Sequence, residues 1–212
     1  MSYFPCKFGG GSGGDVVLTQ FDNLEMAETA IELPDVLVSP DRSYFIDFTT
    51  DTQAQATGIH TIFGIKNGYY RNFVGVTYES LRYQIGQNGN STNVTNSWDQ
   101  LTGRHNFKYD GVGEVFFDEV STYTYTPSNT NGDGYPIVLG SADSPINYSK
   151  CWTGKLHRFT IKKVSTDELI RDYVPAGYVY NGTDIIATGL LDLVSGDFIT
   201  YPSGILSNNA PI

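Results

Sequence analysis

Residues 155–164 read Lys155-Leu156-His157-Arg158-Phe159-Thr160-Ile161-Lys162-Lys163-Val164, with Gly154 just ahead of them. Phe159 and Ile161 fall on one face, and Arg158, Thr160 and Lys162 on the other. Successive side chains of a strand point to opposite faces, so this alternation reads as a half-buried strand. The same period recurs upstream at Ser43–Thr49, where Tyr44, Ile46 and Phe48 share a face. Thr61–Ile65, Phe73–Tyr78, Leu81–Ile85, His105–Tyr109 and Glu114–Val120 are strand-like as well. So are Tyr135–Leu139, with Pro136 near its start where proline is tolerated, and Gly189–Val194 and Asp197–Tyr201. Asp110-Gly111-Val112-Gly113 and Ser195-Gly196 read as tight turns between strands. Leu24–Ile31 (LEMAETAI) predicts one or two turns of helix, and Asn88–Ser97 a polar loop.

Roughly ten to twelve short strands separated by turn chemistry, without a long amphipathic helix, predict an all-β fold. One apolar face per strand favours a two-sheet antiparallel β-sandwich, each sheet wet on its outer side. The composition agrees. Aromatic residues make up 14% of the 212 residues, and Tyr and Phe suit a pleated, half-buried surface. Hydrophobic residues are 40%, enough for one domain with its own core.

Residues 1–14 stand apart from the domain of residues 15–212. Gly9–Gly14 (GGGSGG) has the composition of a flexible tether. It also satisfies G-x-S-x-G and G-x-G-x-x-G, but both motifs need a strand before and a helix after, and neither is predicted here. Ahead of the tether lie Tyr3, Phe4, Pro5 and Phe8, which read as an anchor peptide; the alternative is a disordered end.

The net charge of −10 weighs against nucleic acid, whose phosphates need a basic patch, and equally against an anionic membrane surface. No apolar run is long enough to span a bilayer as a helix, and no signal peptide is visible. Cys6 and Cys151 are too few for a disulfide framework and read as free thiols.

The C-terminal half carries a recognisable order of motifs. Tyr135–Gly140 (YPIVLG) precedes Trp152–Ile161 (WTGKLHRFTI), then Leu169–Ala176 (LIRDYVPA), then Gly189–Phe198 (GLLDLVSGDF). This order resembles the concanavalin A-like, laminin G-like jelly-roll domains of bacteriophage virion proteins and bacterial surface proteins. Tyr44–Phe48 and Thr61–Gly64 fit that group's opening strands. The resemblance implies a jelly roll and a role in a virion, as a decoration or fibre component. It implies attachment to other virion proteins through the N-terminal peptide, assembly as a homo-oligomer, and a host-surface or environmental glycan as ligand. The alternatives are a glycoside hydrolase on the same fold, or a bacterial surface or secreted carbohydrate-binding module.

Catalysis is not expected. Glycoside hydrolysis on this sandwich needs two carboxylates facing one another. In Glu114–Glu119 the acids that share a face, Glu114 and Asp118, would lie about 13 Å apart along one strand, with Phe116 between them. His60, His105 and His157 stand alone and read as strand residues rather than metal ligands. Arg171 and Asp172 read as polar contacts at the rim of the sandwich. No cofactor is expected. A calcium ion is conceivable at Asn129, Asn131 and Asp133, whose spacing echoes a calcium loop without its closing acid. For a sugar, which needs an aromatic platform beside polar groups, the loops offer Asn96, Trp98, Tyr123, Tyr125 and Tyr148. Trp152, next to a strand start, reads as core.

Overall fold

The computed structural model describes residues 14–27, 30–37, 41–50, 60–65, 73–76, 81–84, 91–93, 103–124, 136–141, 151–201 and 203–207. The first strands are β1 (Val16–Gln20), β2 (Asn23–Met26), β3 (Ile31–Leu37), β4 (Arg42–Thr50), β5 (His60–Ile65), β6 (Phe73–Val76), β7 (Leu81–Gln84) and β8 (Ser91–Asn93). There follow β9 (Gly103–Tyr109), β10 (Glu114–Phe117), β11 (Val120–Thr124), β12 (Pro136–Leu139), β13 (Gly154–Lys163), β14 (Leu169–Tyr180), β15 (Asp184–Asp192), β16 (Phe198–Thr200) and β17 (Ile205–Ser207). Among the described residues there is no helix.

The strands pair antiparallel in two sheets. The larger runs β11-β10-β9-β4-β13-β14-β15-β16, with β1 added on β14 and β2 held between β13 and β17. The smaller runs β3-β12-β5-β6-β7-β8. The chain is therefore an all-β, two-sheet antiparallel sandwich, as the alternation predicted.

The core lies between the sheets. Ile46, Phe48, Phe107, Trp152, Leu156 and Phe159 of the large-sheet side meet Ile31, Leu33, Ile62, Phe63, Ile137 and Leu139 of the small sheet. Phe63 packs on Phe159 at 5.3 Å between ring centres, and Phe48 meets Trp152 edge-on at 6.1 Å. Each large apolar side chain fully buried this way contributes about 1.5–3 kcal/mol.

β13 keeps the predicted faces of Phe159 and Ile161, but its register against β4 slips between Leu156 and Arg158. His157 is the extra residue, so a bulge interrupts the alternation there.

Three local expectations need correction. Leu24–Ile31 is not helical: Asn23–Met26 is β2, and Ile31 opens β3. Leu24 and Met26 are fully buried with Glu25 half-buried between them, and pairing with both β13 and β17 overrides the helix propensity of Glu, Met and Ala. Within Asn88–Ser97, Ser91–Asn93 forms β8 against β7. Glu114–Val120 is not one strand, because Asp118 and Glu119 take left-handed φ angles of 49° and 66°. That two-residue turn reverses the chain so that Phe117 faces Val120 across a hairpin.

The turn at Asp110 is the predicted one. Asp110 Oδ1 accepts from the backbone N–H groups of Val112, Gly113 and Glu114, each at 2.9 Å. Gly111 sits at φ 80°, and a Cβ there would lie 2.5 Å from the Arg42 carbonyl oxygen, so no other residue fits.

Pro175 occupies the middle of β14, where a missing N–H would ordinarily break a ladder. β14 leaves β13 at Tyr173 and meets β1 from Ala176 onward, so Pro175 sits at the fork. There its carbonyl accepts from Phe21 N–H at 2.9 Å. The chain from β1 to β2 fills the gap between the two diverging strands.

The outer side of the large sheet is not uniformly wet. Around β14 it carries a second small cluster: Leu18, Ala176 and Leu191 are buried there, flanked by half-buried Val174, Tyr178 and Phe198.

Candidate ligand face on the large sheet

Strands β9, β4, β13 and β14 lie side by side, and cross-strand register sets their outward residues in rows. One row runs Phe116, Lys108, Phe45, Thr160 and Asp172 from β10 to β14. The next runs Asn106, Asp47 and Arg158. A third brings Arg104 beside Thr49. Rows stand about 6.6 Å apart and strands about 4.8 Å apart, so side chains on this face act as neighbours.

Two bidentate ion pairs organise it. Arg104 Nε donates to Asp47 Oδ1 at 2.8 Å, and its Nη2 to Oδ2 at 2.6 Å. Arg158 Nε and Nη2 donate to the two Asp172 oxygens at 2.7 Å each. The carboxylates lie beneath, with Asp172 only 5% exposed, while the guanidiniums remain 53% and 49% exposed. These hydrogen bonds hold both arginines still further toward the charged form. Each guanidinium has five N–H donors and spends two on its carboxylate, so three remain in a fixed orientation. Between these polar groups Phe45 and Phe116 are half-buried, and Lys108 Nζ lies 5.0 Å over the Phe116 ring.

His157 closes the row beside Thr49. Its Nδ1 lies 2.9 Å from the Asp22 carbonyl, which can only accept, so Nδ1 carries the proton. Nε2, 2.9 Å from Thr49 Oγ1, then accepts from the hydroxyl of that residue. Burial favours this neutral ring and pushes the His157 pKa below its ordinary value. The unfolded chain therefore binds the proton more readily than the fold. The stability contributed by neutral His157 is full above about pH 6.5 and falls as the pH drops below it. Urea midpoints between pH 7 and 5 should fall more steeply for the wild type than for His157→Gln; parallel profiles would remove His157 from this role.

The reversed turn at Asp118 is held by β9. Asp118 Oδ1 accepts from Asn106 N–H at 2.9 Å, and Oδ2 pairs with His105 Nδ1 at 2.8 Å. The His105 ring stacks on Phe117 at 5.0 Å, and its Nε2 is buried without a hydrogen-bond partner. That nitrogen is closed to solvent, which suits a packing role better than proton transfer to an outside substrate. Glu114 stays on β10, where its carboxylate accepts from Ser121 Oγ at 3.0 Å. With Asp118 in a turn, the two acids do not line one strand.

Other anticipated residues divide clearly. Trp152 is fully buried and its Nε1 donates to Thr50 Oγ1 at 3.2 Å. His60, His105 and His157 all lie on strands. Asp172 serves Arg158, whereas Arg171 lies 3.4 Å from Asp192, so the neighbours do not pair with each other. Tyr123 is on β11 opposite Val115, but its side chain is outside the described residues. Asn96, Trp98, Tyr125, Tyr148, the calcium candidates Asn129, Asn131 and Asp133, and the anchor residues Tyr3, Phe4, Pro5 and Phe8 also lie outside the described residues. The Arg–Asp rows escaped notice in the sequence because polar outward positions look like any solvated face; the one available signal was the cation content of residues 155–163.

No protein-family model matches the chain. No curated protein matches it by sequence. Among solved structures it is similar to the native heptameric SAP-like pentraxin from Limulus polyphemus, with a TM-score of 0.50 and 12% identity. The alignment covers 92% of this chain and 95% of that one. At that identity the likeness concerns the fold, and the sandwich is of the jelly-roll, concanavalin A-like kind.

Proposed function

We propose that the chain is a lectin-like, non-enzymatic binding module that takes glycans on the outward face of its large sheet. The observation that carries this reading is the row of Phe45 and Phe116 set among oriented guanidinium donors, Thr160 and Asn106. A sugar offers an apolar ring face and many hydroxyls, and such a surface answers both. The arginines are already fixed by Asp47 and Asp172, so little side-chain freedom is lost on binding. Asn96, Trp98, Tyr123, Tyr125 and Tyr148 belong to the proposal as a second set of contacts.

The setting we propose is a phage virion, as a decoration or fibre component. It rests on the motif order of residues 135–198 and on the aromatic peptide before the Gly tether. Tyr3, Phe4, Pro5 and Phe8 would attach the module to other virion proteins. A homo-oligomer is part of the same reading, and the pentraxin with this fold is heptameric.

A glycan array read with and without EDTA tests the binding, and the EDTA arm tests calcium at Asn129, Asn131 and Asp133. Phe45→Ala should weaken a positive signal roughly threefold to tenfold, the worth of one aromatic contact. Binding that survives Phe45→Ala but is lost in Trp98→Ala would move the site to the loops. Deleting residues 1–14 should abolish incorporation into particles; unchanged incorporation would remove the anchor.

A further inference from the structure

We infer that the outward face of β4, β9 and β13 selects acidic polysaccharides, whose sugar units carry carboxylate or sulfate; this rests on the glycan-binding reading above. The reason is a local gathering of cations. The chain as a whole has 13 Lys and Arg against 23 Asp and Glu. On these three strands the outward positions hold Arg104, Lys108, Lys155, Arg158 and Lys162, against the single carboxylate of Asp47.

Ion pairs with Asp47, Asp172 and Asp167 neutralise Arg104, Arg158 and Lys162, which leaves Lys108 and Lys155 as the cations of this face outside any ion pair among the described residues. Asp172 is engaged by Arg158, Asp167 by Lys162 at 3.0 Å, and Glu114 accepts from Ser121. Glu25 of β2 lies opposite Lys155 in register. Among the described residues no carboxylate is within ion-pair distance of Lys108 or Lys155. Lys108 and Lys155 make no ion pair with the described residues, so the fold gains little from placing them there. An anion laid across the face would give both a partner.

Spacing points to a chain molecule rather than one sugar. Lys108 is level with Phe45 and Lys155 with Thr49, two strands apart. From the strand rise and spacing their Cα positions stand roughly 16 Å apart. Arg104 and Arg158 lie within that span, each with unspent donors suited to carboxylate or sulfate oxygens. The half-buried Phe45 between them favours a sugar ring over a phosphate backbone, and the overall charge of −10 opposes nucleic acid.

Binding to polygalacturonate, dextran sulfate, neutral dextran and oligothymidylate separates the outcomes. One or both acidic glycans should bind, with affinity that falls as salt rises, and dextran should not. Which of the two binds distinguishes carboxylate from sulfate. Lys108→Gln/Lys155→Gln should weaken that binding about fivefold or more at low salt, since two exposed charges are lost. Ile186→Asp/Val194→Asp lowers the net charge by the same amount on exposed residues of β15 and its turn, and should leave binding intact. Equal binding of dextran, or an unchanged lysine variant, would overturn the charge selection and leave glycan binding standing. No binding to any of the three glycans would overturn both readings. Preference for oligothymidylate would make the face a nucleic-acid site instead.

Discussion

Asp192→Ala should destabilise the protein by about 3–5 kcal/mol, the cost of breaking a buried charge network by removing one partner. Asp192 is 1% exposed at the end of β15. Its Oδ1 accepts from the Asp172 and Val194 backbone N–H groups at 3.0 and 3.1 Å. Its Oδ2 accepts from Ser195 Oγ at 2.9 Å and faces Arg171 at 3.4 Å. One carboxylate thus ties β14 to the Ser195-Gly196 turn and answers the half-buried guanidinium beside it. Alanine would leave the Asp172 N–H without its acceptor and the Arg171 guanidinium with the Ile170 carbonyl but no carboxylate, and unmade bonds of this kind carry the full desolvation penalty. Asn at 192 keeps the two backbone bonds and loses the charge, so it should cost less than Ala. Urea denaturation at unchanged m-value measures both. A loss below about 1 kcal/mol for Asp192→Ala would show that the turn is held by its backbone alone.

Trp152→Ala should cost a similar amount, about 3–5 kcal/mol, through the cavity left by the largest buried side chain among the described residues. Trp152 is fully buried, its edge against Phe48, and its backbone N–H bonds to the Gly140 carbonyl at 3.0 Å. It therefore joins the start of the β13 segment to the end of β12. Trp152→Phe keeps most of the packing and gives up the bond to Thr50, so its cost should be nearer 1–2 kcal/mol. The order of the two variants in thermal unfolding checks the claim. Equal loss in both would mean that the hydrogen bond, not the packing, dominates.

Much of the fold was legible because period-2 alternation survives wherever one face is buried. β4 and β13 are the clearest cases, and Asp110-Gly111 announced its turn through chemistry that few other residues supply. Legibility failed where long-range pairing overrode local preference. Leu24-Glu25-Met26 looks helical until β13 and β17 claim both of its edges. Asp118-Glu119 lacks the glycine or asparagine that marks a reversed turn, since its left-handed angles are compensated by bonds to β9. Pro175 is tolerated in β14 only because the strand forks there, which no local pattern encodes. The candidate ligand face was hidden for a related reason. Arg104 and Asp47 are 57 residues apart, and Arg158 and Asp172 are 14 apart, so their pairing exists only in the register of the sheet.

The fork at Pro175 also bears on mechanics. β1, which follows the Gly9–Gly14 stretch in sequence, is hydrogen-bonded to β14 over five register pairs, Val16↔Tyr180 to Gln20↔Ala176. A pull on residue 14 along the axis of β1 loads those bonds in shear, where they must yield together rather than unzip one at a time. A module hung from its N-terminus would thus transmit force into the middle of its large sheet, through the same strand pair that frames the β14 side of the candidate ligand face.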